Sequence, residues 1–324
     1  MKTLNAYQAY FLKEYSNYPQ GRYITLFLLR EVESEAIFRT EGSGEPLNRE
    51  FVYPGLRSDD EPIQRVVISK RKQTAVERRT GRELLRRYEL LFEKDKKSGV
   101  CALNRNNPCG KCMDCMIYGY AVGGGGAQKS RVITDDAFSL HPAATIVGIK
   151  QFNALFDNGT MRDPETDKPS TSIGADEYVK PETIFLDMET LKDMTQGEFL
   201  YVLGNILRST RYGAISSRIG KIRNHLVGVA FSDCELFSNL EWTQATYDQL
   251  RGDAEEPEFP LHIDQVRQAA QQAAQQLMPN VIGQVKTMPQ EEIDQLMKEL
   301  KVLYEKEEDL KRLLTETSKM YPKG

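Results

Sequence analysis

Arg22–Arg39 reads RYITLFLLREVESEAIFR, and from Ile24 to Leu29 apolar side chains fall on both parities of an extended chain. A strand with one wet face alternates apolar and polar residues. A run that stays apolar on both parities is read instead as a central strand buried on two sides.

Outward from that strand the periodicity changes. Between Thr74 and Phe92 the residues Leu84, Leu85, Tyr88, Leu91 and Phe92 recur at helical spacing while arginines take the other face, which predicts an amphipathic helix. Strand-like segments follow at Ser130–Leu140 and Thr145–Phe156. Asp157–Pro181 is a long polar insertion, too poor in apolar residues for a core of its own. The chain resumes with a strand at Thr183–Met188, a helix carrying Phe199, Leu200, Leu203, Ile206 and Leu207, and the strand LVGVAFS at Leu226–Ser232.

The order strand, helix, strand, strand, helix, strand predicts an α+β fold of the ferredoxin-like type shared by RNA-recognition-motif domains. Past Pro260 the chain turns helical, with an Ala/Gln-rich helix at His262–Leu277. A second helix starts from the pattern Thr287-x-x-Gln290 and carries Ile293, Leu296, Leu300, Leu303, Leu310 and Leu313. A helical lid or packing module is expected there.

At 324 residues the chain is long enough for one large core or two modest ones. No apolar run approaches the ~20 residues a membrane helix needs, and Met1–Glu14 is too polar for a signal peptide, so a cytoplasmic protein is expected. The net charge of −4 is unevenly distributed. Phe199–Ser232 has no Asp or Glu but carries Arg208, Arg211, Arg218, Lys221 and Arg223, whereas acids dominate from Asp233 onward.

Cys101, Cys109, Cys112 and Cys115 are spaced C-x7-C-x2-C-x2-C, with Gly110 available for a tight turn. Such spacing lets four thiolates converge on one Zn2+, and four cysteines leave no open position for chemistry, so a structural zinc is expected. Free thiols and an iron–sulfur cluster are the alternatives. Cys234 stands apart and is read as a small buried residue.

Three segments suit nucleic-acid phosphates. One is Lys70-Arg71-Lys72 ahead of Arg78, Arg79 and Arg82, which equally suits a solvated helix face. Another is the glycine run Gly123–Gly126 followed by Lys129 and Arg131; Gln128 stands where a Walker A loop needs glycine. The third is Arg211–Arg223, RYGAISSRIGKIR, in which Arg211, Arg218, Lys221 and Arg223 accompany two glycines and two serines without one acid. His141, His225 and His262 are scattered and are read as structural. Nothing resembles a catalytic triad.

Together KRKQTAVERRTGRELLR (Lys70–Arg86), CGKCMDCMIYG (Cys109–Gly119), KSRVITDDAFSL (Lys129–Leu140) and STRYGAISSRIGKIRNHLVGV (Ser209–Val229) resemble the large backbone subunit of type I-D CRISPR surveillance (Cascade) complexes, within the RAMP superfamily. The resemblance runs through about Arg22–Ser232. It implies an RNA-recognition-motif-like palm with a zinc-binding insertion and a β-hairpin thumb. Residues 1–98 are then the first part of the palm, 99–128 the zinc insertion and Gly-rich loop, and 129–156 palm strands. Residues 157–181 are the thumb insertion, 182–240 the second half of the palm, and 241–324 a C-terminal helical region.

The same resemblance implies a scaffold that polymerises along CRISPR RNA beside other effector subunits and presents the guide for pairing with target DNA. It implies no enzymatic step and no membrane. Its expected RNA contacts are Lys70, Arg71, Lys72, Lys129, Arg131, Arg211, Arg218, Lys221 and Arg223. Related backbone families cut target RNA with a loop aspartate, for which Asp59 and Asp60 are candidates here. A backbone nuclease and a stand-alone zinc-containing regulator are therefore the rival readings.

Overall fold

Leu26, Leu28 and Leu29 are entirely buried in the computed structural model, which describes residues 1–38, 47–57, 60–93, 99–103, 105, 107–123, 126–213 and 220–322, without the side chains at 152 and 173. The strands are β1 (Tyr23–Val32), β2 (Arg49–Val52), β3 (Ile63–Ile68), β4 (Tyr120–Val122), β5 (Gly126–Gln128), β6 (Val132–Thr134), β7 (Ala137–Pro142), β8 (Val147–Asn153), β9 (Ile173–Val179), β10 (Ile184–Lys192), β11 (Ile222–Ser232) and β12 (Val285–Thr287). The helices are α1 (Lys70–Arg87), α2 (Met113–Tyr118), α3 (Ala143–Ile146), α4 (Gln196–Arg208), α5 (Asn239–Arg251), α6 (Ile263–Leu277), α7 (Gln290–Glu305) and α8 (Glu307–Ser318).

An antiparallel sheet runs β12-β11-β1-β10-β7-β3-β2, with β6 also on β10. Because β1 is antiparallel to both β10 and β11, those two strands run parallel to each other across it, joined by α4. The chain is thus a mixed α+β protein in which helices cover the sheet from both sides.

Alternation along β1 divides its side chains between two cores. Ile24, Leu26 and Leu28 pack with Leu84 and Leu85 of α1, Phe199 and Leu203 of α4, and Leu296 and Leu314 of α7 and α8. Phe27 and Leu29 pack on the other face with Trp242 of α5 and Ala270 of α6. Each leucine so buried contributes about 1.5–3 kcal/mol. Trp242 meets Phe27 edge-on at 5.1 Å and donates its indole N–H to the Ala270 carbonyl at 2.8 Å, locking α5 to α6. The face of the sheet that would serve as an open platform is therefore covered at its centre.

The β1–β11 register carries one irregularity. Phe27 pairs with Gly228 but Leu28 pairs with Leu226, leaving Val227 as an extra residue. A bulge of this kind switches which parity faces which core: Leu226, Val229 and Phe231 join the α4 side, Val227 and Ala230 the α5 side. Gly228 fits because a Cβ there would stand 3.0 Å from the Phe27 ring.

Three expectations are corrected. Thr145–Phe156 is not a strand of the main sheet, since β8 pairs with β9 in a separate two-stranded hairpin whose strands flank most of the polar insertion. Thr287 does not cap a helix; it pairs with Ala230 at the end of β12, and α7 starts after Pro289. The helix expected from there breaks at Lys306 into α7 and α8. The strands β2 and β3 have no counterpart among the sequence expectations, because short segments next to turn residues carry little periodicity. No helix among the described residues is long and apolar enough to cross a membrane.

Candidate nucleic-acid interface and metal centre

Four sulfurs converge beside the C-terminal half of α1. The Sγ atoms of Cys101, Cys109, Cys112 and Cys115 lie within 4.8 Å of one another, Cys101 and Cys115 at 3.6 Å and Cys101 and Cys112 at 3.9 Å. Thiolates bound tetrahedrally to Zn2+ at about 2.3 Å stand about 3.8 Å apart, so the residues present fit one ion. Gly110 makes the turn between ligands with φ 70°. Hydrogen bonds from Cys109, Cys112 and Cys115 pull the Cys101 thiol far below its ordinary value, while contacts with Cys101, Cys109 and Cys115 push Cys112 up. Four thiolates crowd one another, and a divalent cation is what allows all of them to ionise together.

The surroundings of the cluster are arranged for such a charge. Arg82 places Nη1 3.6 Å from Cys101 Sγ and donates Nη2 to the Cys101 carbonyl at 2.6 Å. Fully buried Asp114 accepts from Arg78 at 2.7 Å and from Arg82 at 2.5 Å. These arginines, which suited a solvated face in the sequence, instead bolt the cysteine module onto α1.

The acid-free segment after α4 is built on a buried arginine. Arg30, at 0% exposure, donates to Asp187 at 2.6 and 2.8 Å, to Glu77 at 2.9 Å, to Glu189 at 2.8 Å and to Asn224 at 2.8 Å. Burial alone would depress the guanidinium, but Tyr212, Asp187, Glu77 and Glu189 outweigh it and hold it charged. One guanidinium cannot balance three buried carboxylates, and desolvation raises Glu77, Asp187 and, most strongly, Glu189.

Tyr212 stacks on this arginine with its ring centre 4.8 Å from the guanidinium carbon and donates its hydroxyl to Glu77 at 2.8 Å. Asn224 donates to the Tyr212 hydroxyl at 3.0 Å and to the Ser209 and Ile206 carbonyls. Gly220 lies so close to Glu35 and Ala36 that a Cβ would meet their backbone at 2.5–2.6 Å. Both stems of the segment are therefore fixed to β1. Residues 214–219, including Arg218, lie outside the described residues.

From the C-terminal stem, Lys221 and Arg223 project into solvent, 48% and 60% exposed. Arg211 is exposed on the other stem. Lys70 and Arg71 are exposed and Lys72 half-buried in the first turn of α1, two turns from Glu77; Gln73 of the same turn accepts from Arg30 at 3.3 Å. The fold thus gathers the first and third basic segments around Arg30.

Arg131 of the second segment does not join them. Arg131 is 9% exposed, and its donors go to Glu198 at 3.2 Å, the Asp193 carbonyl at 2.9 Å and the Met116 carbonyl at 3.1 Å. Its expected role as a phosphate contact is corrected: the guanidinium closes the N-terminal end of α4 against the core. Lys129 is exposed two residues earlier, where its backbone runs against Gly119, whose carbonyl accepts from Arg78 of α1 at 2.8 Å.

Asp60 gives both carboxylate oxygens to Arg251, at 2.9 and 2.6 Å, which holds its carboxyl below the usual range. Asp59 lies outside the described residues. His141 is buried against the Glu258 carbonyl, His225 bonds Glu31 at 2.8 Å, and His262 caps α6. The residues that sequence reading missed are Arg30, Tyr212 and Asn224. The one available signal was Arg30 itself, a charge inside an otherwise apolar strand.

A family model described as Csc2 Crispr matches residues 10–314. The crystal structure of Thermofilum pendens Csc2 shares the fold, with a TM-score of 0.62 and 17% identity over 99% of both chains. A chain of a CRISPR RNA-guided surveillance complex in a pre-nicking state matches with a TM-score of 0.49 and 10% identity, over 81% of this chain and 89% of that one. No curated protein matches the sequence. With the family model spanning nearly the whole length, the chain belongs to the Csc2 CRISPR family.

Proposed function

We propose that the chain is a CRISPR RNA-binding backbone subunit of a type I-D surveillance complex, which polymerises along the guide and presents it for pairing with target DNA. Membership of the Csc2 family supports a role in a CRISPR surveillance complex. The observation that carries RNA binding is the exposed pair Lys221 and Arg223, in an acid-free stretch whose stems are fixed on buried Arg30. The strand order β11-β1-β10-β7, with α1 and α4 as crossovers, supports reading the core as a ferredoxin-like, RNA-recognition-motif-like palm. The β8–β9 hairpin is read as the thumb.

Covering of the central sheet by α5 and α6 favours gripping of the backbone over stacking of bases. Sequence is then read by the guide and not by the protein. The cysteine module holds a structural zinc that fixes α1. The subunit is non-catalytic, cytoplasmic, and assembles with further copies of itself and with other effector subunits. The phosphate contacts in this reading are Lys70, Arg71, Lys72, Lys129, Arg211, Arg218, Lys221 and Arg223, while Arg131 is held in the core by Glu198.

Replacing Lys221 and Arg223 together with alanine is expected to weaken single-stranded RNA binding and to flatten its log–log salt dependence by about 0.7 for each phosphate that is no longer neutralised. Filter binding across a salt series measures both quantities. Unchanged affinity and slope would remove the assignment.

A further inference from the structure

Beyond Arg30 the chain carries acids at alternate positions, Glu31 near the end of β1 and Glu33 and Glu35 just past it, each of which meets a basic side chain. Glu31 accepts from His225 at 2.8 Å, Glu35 from Lys150 at 2.8 Å, and Glu33 takes both Lys221, at 3.0 Å, and Arg223. Register explains the match: Glu31 pairs with Arg223 across the antiparallel strands, and the Glu33 amide donates to the Lys221 carbonyl at 2.8 Å. The Val227 bulge sets this register; without the extra residue, Ile222 and Asn224 would face Glu31 and its neighbours instead. Glu33 is 18% exposed, far more enclosed than the cations it holds.

We propose that Glu33 is a built-in counter-anion of the RNA-binding face. It holds Lys221 and Arg223 in place when no RNA is bound, and it sets the affinity threshold that a polyanion must exceed to use them. The inference rests on the reading that these two cations contact RNA phosphates. A carboxylate bridging two cations leaves the group with a net charge of +1, and an approaching phosphate either displaces it or shares the cations with it. Short or casual encounters with nucleic acid then gain little from this pair. RNA held simultaneously at several other points still does, so loading of the subunit depends on engagement elsewhere along the strand.

The test uses the full chain, random-sequence single-stranded RNA and four variants. Glu33→Gln keeps the shape and removes the charge; it is expected to bind RNA roughly three- to tenfold tighter at about 0.1 M salt, with a slope steeper by about 0.7. Glu33→Asp should stay near the parent. Glu33→Gln placed on the Lys221→Ala, Arg223→Ala background should show no gain, because its effect passes through those side chains. Unchanged or weaker binding by Glu33→Gln, or a gain that survives without the two cations, overturns the proposal. If the Lys221→Ala, Arg223→Ala pair weakens binding while Glu33→Gln changes nothing, the counter-anion is wrong and the RNA-binding reading stands. If the pair itself has no effect, both fall.

Discussion

Arg30→Met is expected to lower the stability of the chain by about 3–5 kcal/mol, because it leaves Asp187, Glu77 and Glu189 buried without their cation. The methylene stem is roughly preserved, so the loss is electrostatic and not a cavity effect. Its pH dependence gives a second readout. All three carboxyls have folded-state values raised by burial, so the folded chain binds more protons than the unfolded one. Their contribution is then most favourable below the ordinary carboxylate range and is lost as pH rises through the raised values.

Removing Arg30 raises those carboxyls further, and the deficit of the variant should grow as pH rises above the ordinary carboxylate range. Glu189→Gln is the control. Glu189 shares a hydrogen bond with Glu77 and burial raises its carboxyl, so an amide in its place should cost far less than Arg30→Met and should flatten the slope. Urea melts of the three proteins at several pH values measure this. A variant lacking Arg30 that loses under 1 kcal/mol, or loses equally at every pH, would mean that the network carries no such charge.

Cys112→Ser is expected to reduce bound zinc from about one ion per chain to near zero and to loosen the module around it. Loss of one thiolate would leave an ion only three protein ligands, and Arg82, which reaches both Cys101 and Asp114, would carry the disturbance into α1. Slow amide exchange should disappear over 99–119 and weaken in the C-terminal half of α1, while β1 and β10 keep their protection. Chelator treatment of the parent chain should reproduce the pattern. Elemental analysis that finds the same metal content in parent and variant would show that these cysteines hold no ion.

The two experiments probe two separate sets of contacts made by one helix. Glu77 ties α1 to the buried arginine and the RNA-facing stems; Arg78 and Arg82 tie it to the cysteine module. Metal loss is therefore expected to leave Lys221 and Arg223 in place, and RNA affinity should fall far less in Cys112→Ser than in the Lys221→Ala, Arg223→Ala pair.

Hydropathy patterning along the chain was enough to mark the two-faced β1, the helices α1 and α4, and the strands at Thr183–Met188 and Leu226–Ser232. Apolar side chains repeat there with a period that only one backbone geometry satisfies. The four cysteines could be singled out for a similar reason, since ligands x2 apart converge through local turns alone. What the hairpin β8–β9 pairs with could not be read, because a two-stranded ribbon that is buried only at its base, around Val179, has too little buried face to impose alternation.

The charged residues divide in the same way. Composition located the acid-free segment but could not separate Arg131, whose charge is spent on Glu198 in the core, from Lys221 and Arg223, which reach solvent. A cation's role depends on which side of a strand or helix it occupies and on what lies across from it. By itself the sequence determined which elements form and which segments carry positive charge, both being local properties of the chain. Only tertiary structure decided that Arg30 underlies the Arg211–Arg223 segment and that Glu33 faces its cations, because strand register and a single bulge bring together residues nearly two hundred positions apart.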